Sequence, residues 1–179
     1  MFRFFFVLYS IFLQVGPASA QDRDVLSKYR LGAGDVISIS VLGEDDLRRD
    51  KVRLTDAGTI QYPVLGEIRV LGLTVGDLVD RITQGLKGRY LVDPKVTASI
   101  EEYRPFFING EVGKAGGYPF VPGLTVFKAV SIAGGFKDRA SKTRMFVIRD
   151  GSSHDKRVRV ELDTQIFPGD ILTIEESFF

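Results

Sequence analysis

Few residues in this chain combine the types and the spacing that catalytic chemistry needs. The single histidine, His154, lies in the polar stretch Gly-Ser-Ser-His-Asp-Lys at residues 151–156, which supplies a serine, a histidine and an aspartate side by side. Members of a catalytic triad must converge in space, and adjacent residues on one loop seldom do so. The chain also has no Gly-x-Ser-x-Gly elbow. We therefore interpret this stretch as a solvent-exposed hairpin loop.

Two groups of adjacent acids, Glu-Asp-Asp at residues 44–46 and Glu-Glu at residues 101–102, are of the kind that glycosidases use. Neither group lies in an apolar stretch that would raise the pKa of one acid, so solvated acids at loops or strand ends are the better interpretation. The glycine-rich runs at residues 32–34 and 134–137 match neither a phosphate-binding loop nor a dinucleotide-binding fingerprint. Turns and helix C-caps explain these runs better.

The composition of the 179-residue chain narrows the chemistry further. There is no Cys and only one His, which excludes disulfides, thiolate metal sites, a Cys nucleophile, a lipidated Cys and a multi-His metal centre. Lys and Arg number 24 against 23 Asp and Glu, so the net charge of +1 gives no electrostatic reason to expect nucleic acid or an anionic membrane as the main partner. We expect no catalytic residue, no metal and no cofactor.

Basic residues nevertheless concentrate in the second half of the chain, where acids interleave with them. A solvated charged face and a contact with an anionic polymer are both open on this pattern. The basic residues concerned are Arg139, Lys142, Arg144, Arg149, Lys156, Arg157 and Arg159.

The first twenty residues have the layout of a secretory signal peptide. A short basic start precedes a nearly continuous apolar run over residues 4–13, and Ala-Ser-Ala at residues 18–20 forms a small-x-small cleavage site. We predict cleavage between Ala20 and Gln21, followed by a polar leader over residues 21–28. An uncleaved anchor or a buried first helix is the alternative. No later segment offers the roughly 20 apolar residues of a membrane helix, so we expect an exported, soluble periplasmic protein that is not a lipoprotein.

Hydrophobic periodicity predicts the elements that must position these residues. Residues 36–41 alternate as a strand does, residues 51–54 and 59–62 flank an Asp-Ala-Gly turn as a hairpin would, and Thr74 opens a helix that stops near Gly88. Further predicted elements are strands at 96–100, 106–112, 144–149, 158–162 and 171–174, a loop at 114–118 and a helix from Thr125 through Ile132. Strands mixed irregularly with two helices predict an α+β fold of two small mixed domains, each a small sheet with one covering helix.

Three short motifs recur along the chain. Gly-Leu-Thr-Val at residues 72–75 returns at 123–126, Gly-Glu-Ile at 66–68 returns as Gly-Glu-Val at 110–112, and Gly-Asp-Val-Ile at 34–37 resembles Gly-Asp-Ile-Leu at 169–172. One interpretation is a structural device used twice, in which Thr caps a helix that covers a small sheet. Coincidence is the alternative, because caps and turns select Gly, Thr and Asp in any case.

The order of these motifs resembles the periplasmic domain of bacterial polysaccharide export proteins, followed by their soluble-ligand-binding β-grasp domain. The family opening Tyr-x-Leu-Gly-Pro-Gly-Asp is matched at residues 29–35, with Ala33 in place of the proline. The resemblance implies an export domain over residues 29–102 and a β-grasp domain over residues 103–179. The matched motif residues are Gly32, Gly34, Asp35, Asp56, Gly58, Pro63, Gly66, Gly72, Thr74, Pro94, Gly110, Gly117, Gly123, Thr125, Gly134, Gly135, Gly169 and Asp170. We expect them to be structural, with Asp35 and Asp170 fixing their turns by accepting backbone N–H bonds.

The resemblance also implies a function and a set of partners. Such proteins are non-enzymatic parts of capsular or exopolysaccharide export, assembled as periplasmic or outer-membrane rings around a passage for the polymer. The expected partners are the exported polysaccharide, further copies of the chain, and an inner-membrane polysaccharide co-polymerase or tyrosine kinase. The resemblance implies that many members are lipoproteins, and that the large members carry extra β-grasp domains and a C-terminal amphipathic helix that crosses the outer membrane. This sequence has no Cys and stops at Phe179. We therefore expect a separate outer-membrane barrel or export protein as a further partner.

Two other functions remain open on the sequence. A periplasmic glycan-binding or sensing module that regulates export is the alternative, with Tyr118, Phe120 and Arg144 as the candidate glycan contacts. A polysaccharide-processing enzyme that uses the paired acids is the third, and the lack of an apolar acid pocket in the sequence disfavours it.

Overall fold

The computed structural model describes residues 28–152 and 156–177. The predicted signal peptide with Ala20 and Gln21, His154 and the two terminal Phe residues lie outside the described residues. The first unit contains β1 (Val36–Val41), β2 (Arg49–Arg53), β3 (Thr59–Tyr62), β4 (Gly66–Arg69), helix α1 (Val75–Leu86) and β5 (Val96–Glu102), with a 3-10 turn at Asp45–Leu47. The second contains β6 (Phe106–Gly110), β7 (Gly116–Tyr118), α2 (Val126–Ile132), β8 (Ala140–Ile148), β9 (Arg157–Val160) and β10 (Ile171–Glu176).

The first unit is a three-stranded antiparallel sheet covered on one face by α1. Strand β1 lies in the middle, between β2 and β5. Its alternating side chains place Ile37 and Ile39 against the helix, whose Leu78, Ile82 and Leu86 are fully buried. Burying each such aliphatic side chain contributes about 1.5–3 kcal/mol, so this face holds the unit together.

The predicted hairpin between residues 51–54 and 59–62 is wrong. Strand β2 pairs with β1, whereas β3 pairs with β4 in a separate two-stranded sheet. The physical reason is turn length: only three residues, 63–65, separate β3 from β4, and short connections favour hairpin pairing. The Asp-Ala-Gly turn instead redirects the chain, and the carbonyl of Gly58 accepts the N–H groups of Val70 and Leu71.

The second unit is a five-stranded mixed sheet in the order β7-β6-β10-β8-β9. Strand β10 is parallel to β6 and antiparallel to β8. Its inward residues Leu172 and Ile174 are fully buried and pack with Phe106, Val147 and Val130 in a second hydrophobic cluster that is distinct from the first. Two clusters, each under one helix, confirm the predicted α+β class with two small mixed units.

Both helices begin as predicted, at a threonine. The Thr74 hydroxyl accepts the N–H of Asp77 and the Asp77 carboxylate accepts the N–H of Thr74, which is a complete capping box. The Thr125 hydroxyl accepts the N–H of Lys128 at the start of α2. The Gly-Leu-Thr motif therefore starts a helix twice, as the repeat predicted.

Several strand boundaries in the second unit differ from the prediction: β8 begins at Ala140 rather than at residue 144, and β9 spans Arg157–Val160 rather than 158–162. Strand β6 ends at Gly110 rather than continuing to Val112, because Gly110 adopts a φ of +86°. The segment predicted as a loop at 114–118 contains β7, a short edge strand paired with β6. Within the part of the chain that the structure describes, no helix is long and apolar enough to cross a membrane.

Candidate functional site

The two Gly-Asp motifs form the same turn at the start of a sheet strand. The N–H of Gly32 donates to the Asp35 carboxylate at 2.8 Å, and the N–H of Phe167 donates to the Asp170 carboxylate at 2.8 Å. In each turn the Asp N–H also donates back to the carbonyl three residues earlier, at 3.2 Å. Asp35 and Asp170 are almost completely buried. The expected backbone hydrogen bonds are therefore present, and this repeat is structural.

Arg104 connects the first of these turns to the second unit. Its backbone N–H donates to Asp35 Oδ1 at 2.8 Å, and its Nη1 donates to Asp35 Oδ2 at 3.0 Å. The Nη1 group also donates to the Tyr29 hydroxyl at 2.7 Å, and that hydroxyl lies 2.7 Å from Asp35 Oδ2. On the other side, Nη2 donates to Asp150 Oδ2 at 2.7 Å. We call Tyr29, Gly32, Asp35, Arg104 and Asp150 the Arg104 joint.

Glycines of both motifs make the space that the Arg104 side chain occupies. A Cβ built on Gly32 would lie 2.1 Å from Nη1, closer than any real contact. A Cβ on Gly169, which has a φ of +84°, would lie 2.9 Å from Nε. The guanidinium is therefore held between two glycines that belong to different units. This close approach explains why residues without side chains occupy these positions.

The second turn has its own cation. Arg149 Nη1 donates to the Asp170 carboxylate and, at 3.1 Å, to the carbonyl of Gln165. Because Arg149 and Asp150 are adjacent in the chain, the Arg149–Asp170 ion pair lies next to the Arg104 joint. Burial raises the pKa of Asp170, and the Phe167 N–H and the Arg149 charge partly oppose that rise.

Aromatic rings line the same boundary. Tyr29 meets Tyr103 edge to face at 5.2 Å between ring centroids, and Tyr103 meets Phe120 in the same way at 5.3 Å. Burial, followed by the hydrogen bond to Asp35, raises the pKa of Tyr29 well above its ordinary value. The phenol therefore stays protonated at neutral pH and serves as a hydrogen-bond donor. The joint can fix two units in register, and none of its groups is an activated nucleophile.

The three candidate glycan contacts do not come together. The ring of Phe120 belongs to the core of the second unit and is 7% exposed. Tyr118 lies on β7, where its ring stacks on Phe106 and its hydroxyl donates to the carbonyl of Lys114. Arg144 lies on β8, ion-paired with Glu175, and two strands separate it from Tyr118 in the sheet. The sheet order therefore does not bring these three side chains together into one glycan site.

The paired acids lie at the surface. Asp45 and Asp46 lie within the 3-10 turn at the surface and Glu44 directly precedes it. Glu102 at the end of β5 forms an exposed ion pair with Arg53 at 3.1 Å. Among residues 28–152 and 156–177, no group of three or more His, Asp or Glu side chains is arranged to hold a metal ion.

Most other motif residues shape turns, caps and close contacts. Asp56 accepts the N–H of Ala57 in the turn before β3, and Gly110 lies where a Cβ would come within 2.0 Å of the Ile174 carbonyl oxygen. The repeated Gly-Glu motif is not a structural repeat, because Gly66 begins a strand and Gly110 ends one.

Sequence reasoning missed the joint as a cluster. Tyr29, Arg104 and Asp150 come from three distant segments, and no spacing rule relates them. The available signal was the pair of Gly-Asp turns, since a buried carboxylate requires a cation or several N–H donors nearby. The sequence does not show which arginine fills that role.

Comparison with known proteins shows which families and relatives this chain is similar to. Residues 23–101 match the family described as polysaccharide biosynthesis/export protein, and residues 105–161 match the SLBB domain. Over 131 residues the chain is 30% identical to the exopolysaccharide production protein ExoF of Rhizobium meliloti, an alignment that covers 66% of this chain and 31% of ExoF. Over 185 aligned residues it is 27% identical to the EPS I polysaccharide export outer membrane protein EpsA of Ralstonia nicotianae, covering 88% of this chain and 47% of EpsA.

A third relative, the EPS I polysaccharide export outer membrane protein EpsA of Ralstonia solanacearum, is 29% identical over 150 residues, which cover 69% of this chain and 39% of that protein. The chain thus spans less than half the length of each of these relatives. The two domain matches follow one another in the order that the motifs predicted, and the Arg104 joint lies where one match gives way to the other. The chain therefore belongs to the bacterial polysaccharide export family, as an export domain followed by an SLBB domain.

Proposed function

We propose that this protein is a non-enzymatic component of capsular or exopolysaccharide export across the bacterial cell envelope. The observation that carries the proposal is the consecutive match to an export domain and an SLBB domain, supported by relatives named for exopolysaccharide production and export. The side-chain arrangement supports a structural role, because the motif residues are used for turns, caps and the joint between the units.

Copies of a protein associate more readily when each copy already has one fixed shape, because less conformational freedom is lost on assembly. In this chain the ion pairs and hydrogen bonds of the joint cross the boundary between the two units, and the guanidinium of Arg104 is 15% exposed. A network of this kind resists hinge motion, because opening it would leave a buried carboxylate without its cation. We propose that this stiffness lets copies of the chain assemble as a ring in the periplasm or at the outer membrane.

The proposed boundaries follow the domain order. We propose that residues 1–20 are removed on export, with cleavage between Ala20 and Gln21, and that the export and β-grasp domains span residues 29–102 and 103–179. The polysaccharide, further copies of the chain and an inner-membrane co-polymerase or tyrosine kinase are the proposed partners. Mass measurement of the protein recovered from the periplasm tests both the cleavage site and, under native conditions, the oligomer.

Deletion of the gene tests the function itself. We expect surface polysaccharide to be lost while the polymer accumulates inside the cell, because synthesis remains intact. Expression of the chain from a plasmid should restore surface polymer. Unchanged surface polymer in the deletion strain would contradict the proposal, and shortened polymer after incubation with pure protein would contradict its non-enzymatic character.

A further inference from the structure

The face of the first sheet that α1 does not cover carries a groove lined by hydroxyl groups. On β1, Ser38 and Ser40 project to the opposite face from Ile37 and Ile39. Ser38 is directly opposite Ser99 on β5, and Ser40 is opposite Thr97. The groove has a volume of about 590 Å³, which is within the range of roughly 300–1,000 Å³ typical of ligand sites. We call this surface the hydroxyl groove.

The four hydroxyls form a compact square with hydrogen-bonding capacity to spare. The Ser40 and Thr97 hydroxyl oxygens are 2.7 Å apart, and the Ser99 hydroxyl donates to Glu101 Oε1 at 2.9 Å. Each hydroxyl has one donor and two acceptor positions, so these contacts leave acceptor positions open toward the solvent. A ligand that presents many hydroxyls of its own can donate to these acceptor positions.

A β-bulge shapes one wall of the groove. Ile37 is opposite Val52 but Ile39 is opposite Arg49, so β2 holds one extra residue at this point. Lys51, in the bulge, has a φ of +52°, a left-handed conformation that costs energy for a residue with a side chain. Bulges and strained residues of this kind recur next to binding sites, where they redirect side chains. Here the bulge brings Asp50 and Lys51 into the wall.

The charges around the groove cancel. Arg48 and Lys51 face Asp50 and Glu101 among its lining residues, and Arg48 is paired with Asp50 at 2.8 Å. No aromatic or large exposed apolar side chain lines the groove. The cores of protein–protein interfaces are rich in such side chains and poor in Ser. The surface therefore suits an uncharged polyhydroxylated ligand better than a second protein.

We propose that the hydroxyl groove binds an uncharged stretch of the exported polysaccharide and lines the path along which the polymer moves. This inference rests on the proposed function and adds the binding face and the chemical class of the ligand. Exposed hydroxyls exchange easily between the polymer and water, because each net hydrogen bond is weak. Binding is thus loose enough for the chain to slide onward.

Titration of the purified mature protein with a defined glucan tests the inference. Cellohexaose, an uncharged hexamer, should bind saturably at millimolar concentration and shift the amide resonances of β1 and β5 in NMR spectra. The double variant Thr97→Val/Ser99→Ala removes two hydroxyls without adding bulk, and it should weaken binding about fivefold to tenfold. The matched control Thr173→Val, on the second sheet, should bind as the wild type does.

A charged probe and a cellular assay separate the possible failures. Hexagalacturonate should bind within about threefold of cellohexaose, because the local charges cancel; binding at least ten times tighter would overturn the assignment to an uncharged ligand. Resonance shifts confined to the second sheet, or no saturation, would overturn the groove itself. In the deletion strain, the double variant should restore less surface polymer than Thr173→Val. Equal restoration would refute the path but not the export function, whereas a deletion strain with normal surface polymer would refute the export function.

Discussion

Replacing Arg104 by methionine tests whether the joint holds the two units together. Methionine keeps an unbranched apolar stem at this position but removes the guanidinium and its charge. Breaking a buried ion pair costs about 3–5 kcal/mol of the free energy of unfolding. Asp35 is 0% exposed, yet it keeps bonds from Tyr29 and from the Gly32 N–H, so the lower end of that range applies.

The second ion pair of Arg104 adds less. Asp150 is 49% exposed, and an exposed pair contributes no more than about 1 kcal/mol. We therefore expect Arg104→Met to lower the free energy of unfolding by about 3–4 kcal/mol. For a chain of this size, the lower figure corresponds to a fall in Tm of about 6–12 °C.

Urea unfolding followed by circular dichroism at pH 7 measures the effect. The matched control is Arg53→Met, which removes the ion pair between Arg53 and Glu102. The Arg53 side chain is 63% exposed and the Glu102 side chain is 60% exposed. We expect this control to cost less than about 1 kcal/mol. A loss for Arg104→Met no larger than that of the control would refute the reasoning. Adding Asp35→Asn to Arg104→Met should recover part of the loss, because the buried carboxylate no longer needs a counter-ion.

Three further predictions concern packing, capping and the core. Gly32→Ala should destabilise the protein by about 1–3 kcal/mol, since its Cβ would lie 2.1 Å from the guanidinium of Arg104. Gly76→Ala, at an exposed helical position where a Cβ would meet only the Thr74 hydroxyl at 3.7 Å, should stabilise it by about 0.5–1 kcal/mol. The hydrogen bond from the Thr74 N–H lowers the pKa of Asp77 below its ordinary value of 3.8, so its contribution to stability is present above that pH and is lost as the pH falls through the lowered pKa. When the pH is lowered from 7 to 3, the free energy of unfolding measured with urea should therefore fall more for the wild type than for Asp77→Asn. Phe120→Ala should cost about 3–5 kcal/mol in thermal unfolding, because its ring is in the core.

Each of these predictions has a contrary result. A Gly32→Ala variant no less stable than the wild type would mean that the guanidinium of Arg104 can move away without a cost in free energy. If the free energy of unfolding falls equally for the wild type and for Asp77→Asn between pH 7 and pH 3, the Asp77 carboxylate of the capping box does not contribute to stability. A Phe120→Ala variant as stable as the wild type would mean that the ring does not stabilise the core, and Phe120 would again be a candidate glycan contact.

The sequence was most informative where a pattern is local. The alternation of Ile37 and Ile39 with Ser38 and Ser40 predicted the strand, because the side-chain period of a strand is two. The same holds for Thr74, where cap and helix periodicity agree. Local agreement of this kind needs no knowledge of the rest of the fold.

Pairing between strands and contacts across the units could not be predicted in the same way. The partner of β3 depended on competition between two possible turns, and the shorter connection was preferred. The Arg104 joint depends on residues 69 and 46 positions apart along the chain, which meet only after both units fold. The alternation predicted strand β1, but the alignment of Ser38 and Ser40 with Ser99 and Thr97 required the register of β5.

The place of β10 in its sheet bears on how the protein reaches its folded state. This strand is the last described in the chain, yet it lies in the middle of the second sheet, between β6 and β8. The pairing of β10 with β6 bridges more than sixty residues, and such long-range pairing forms slowly. Until residues 171–176 have left the ribosome, β6 and β8 have no strand to join them. The second sheet can therefore be completed only after residues 171–176 have been synthesised, long after β6 and β8 have been made.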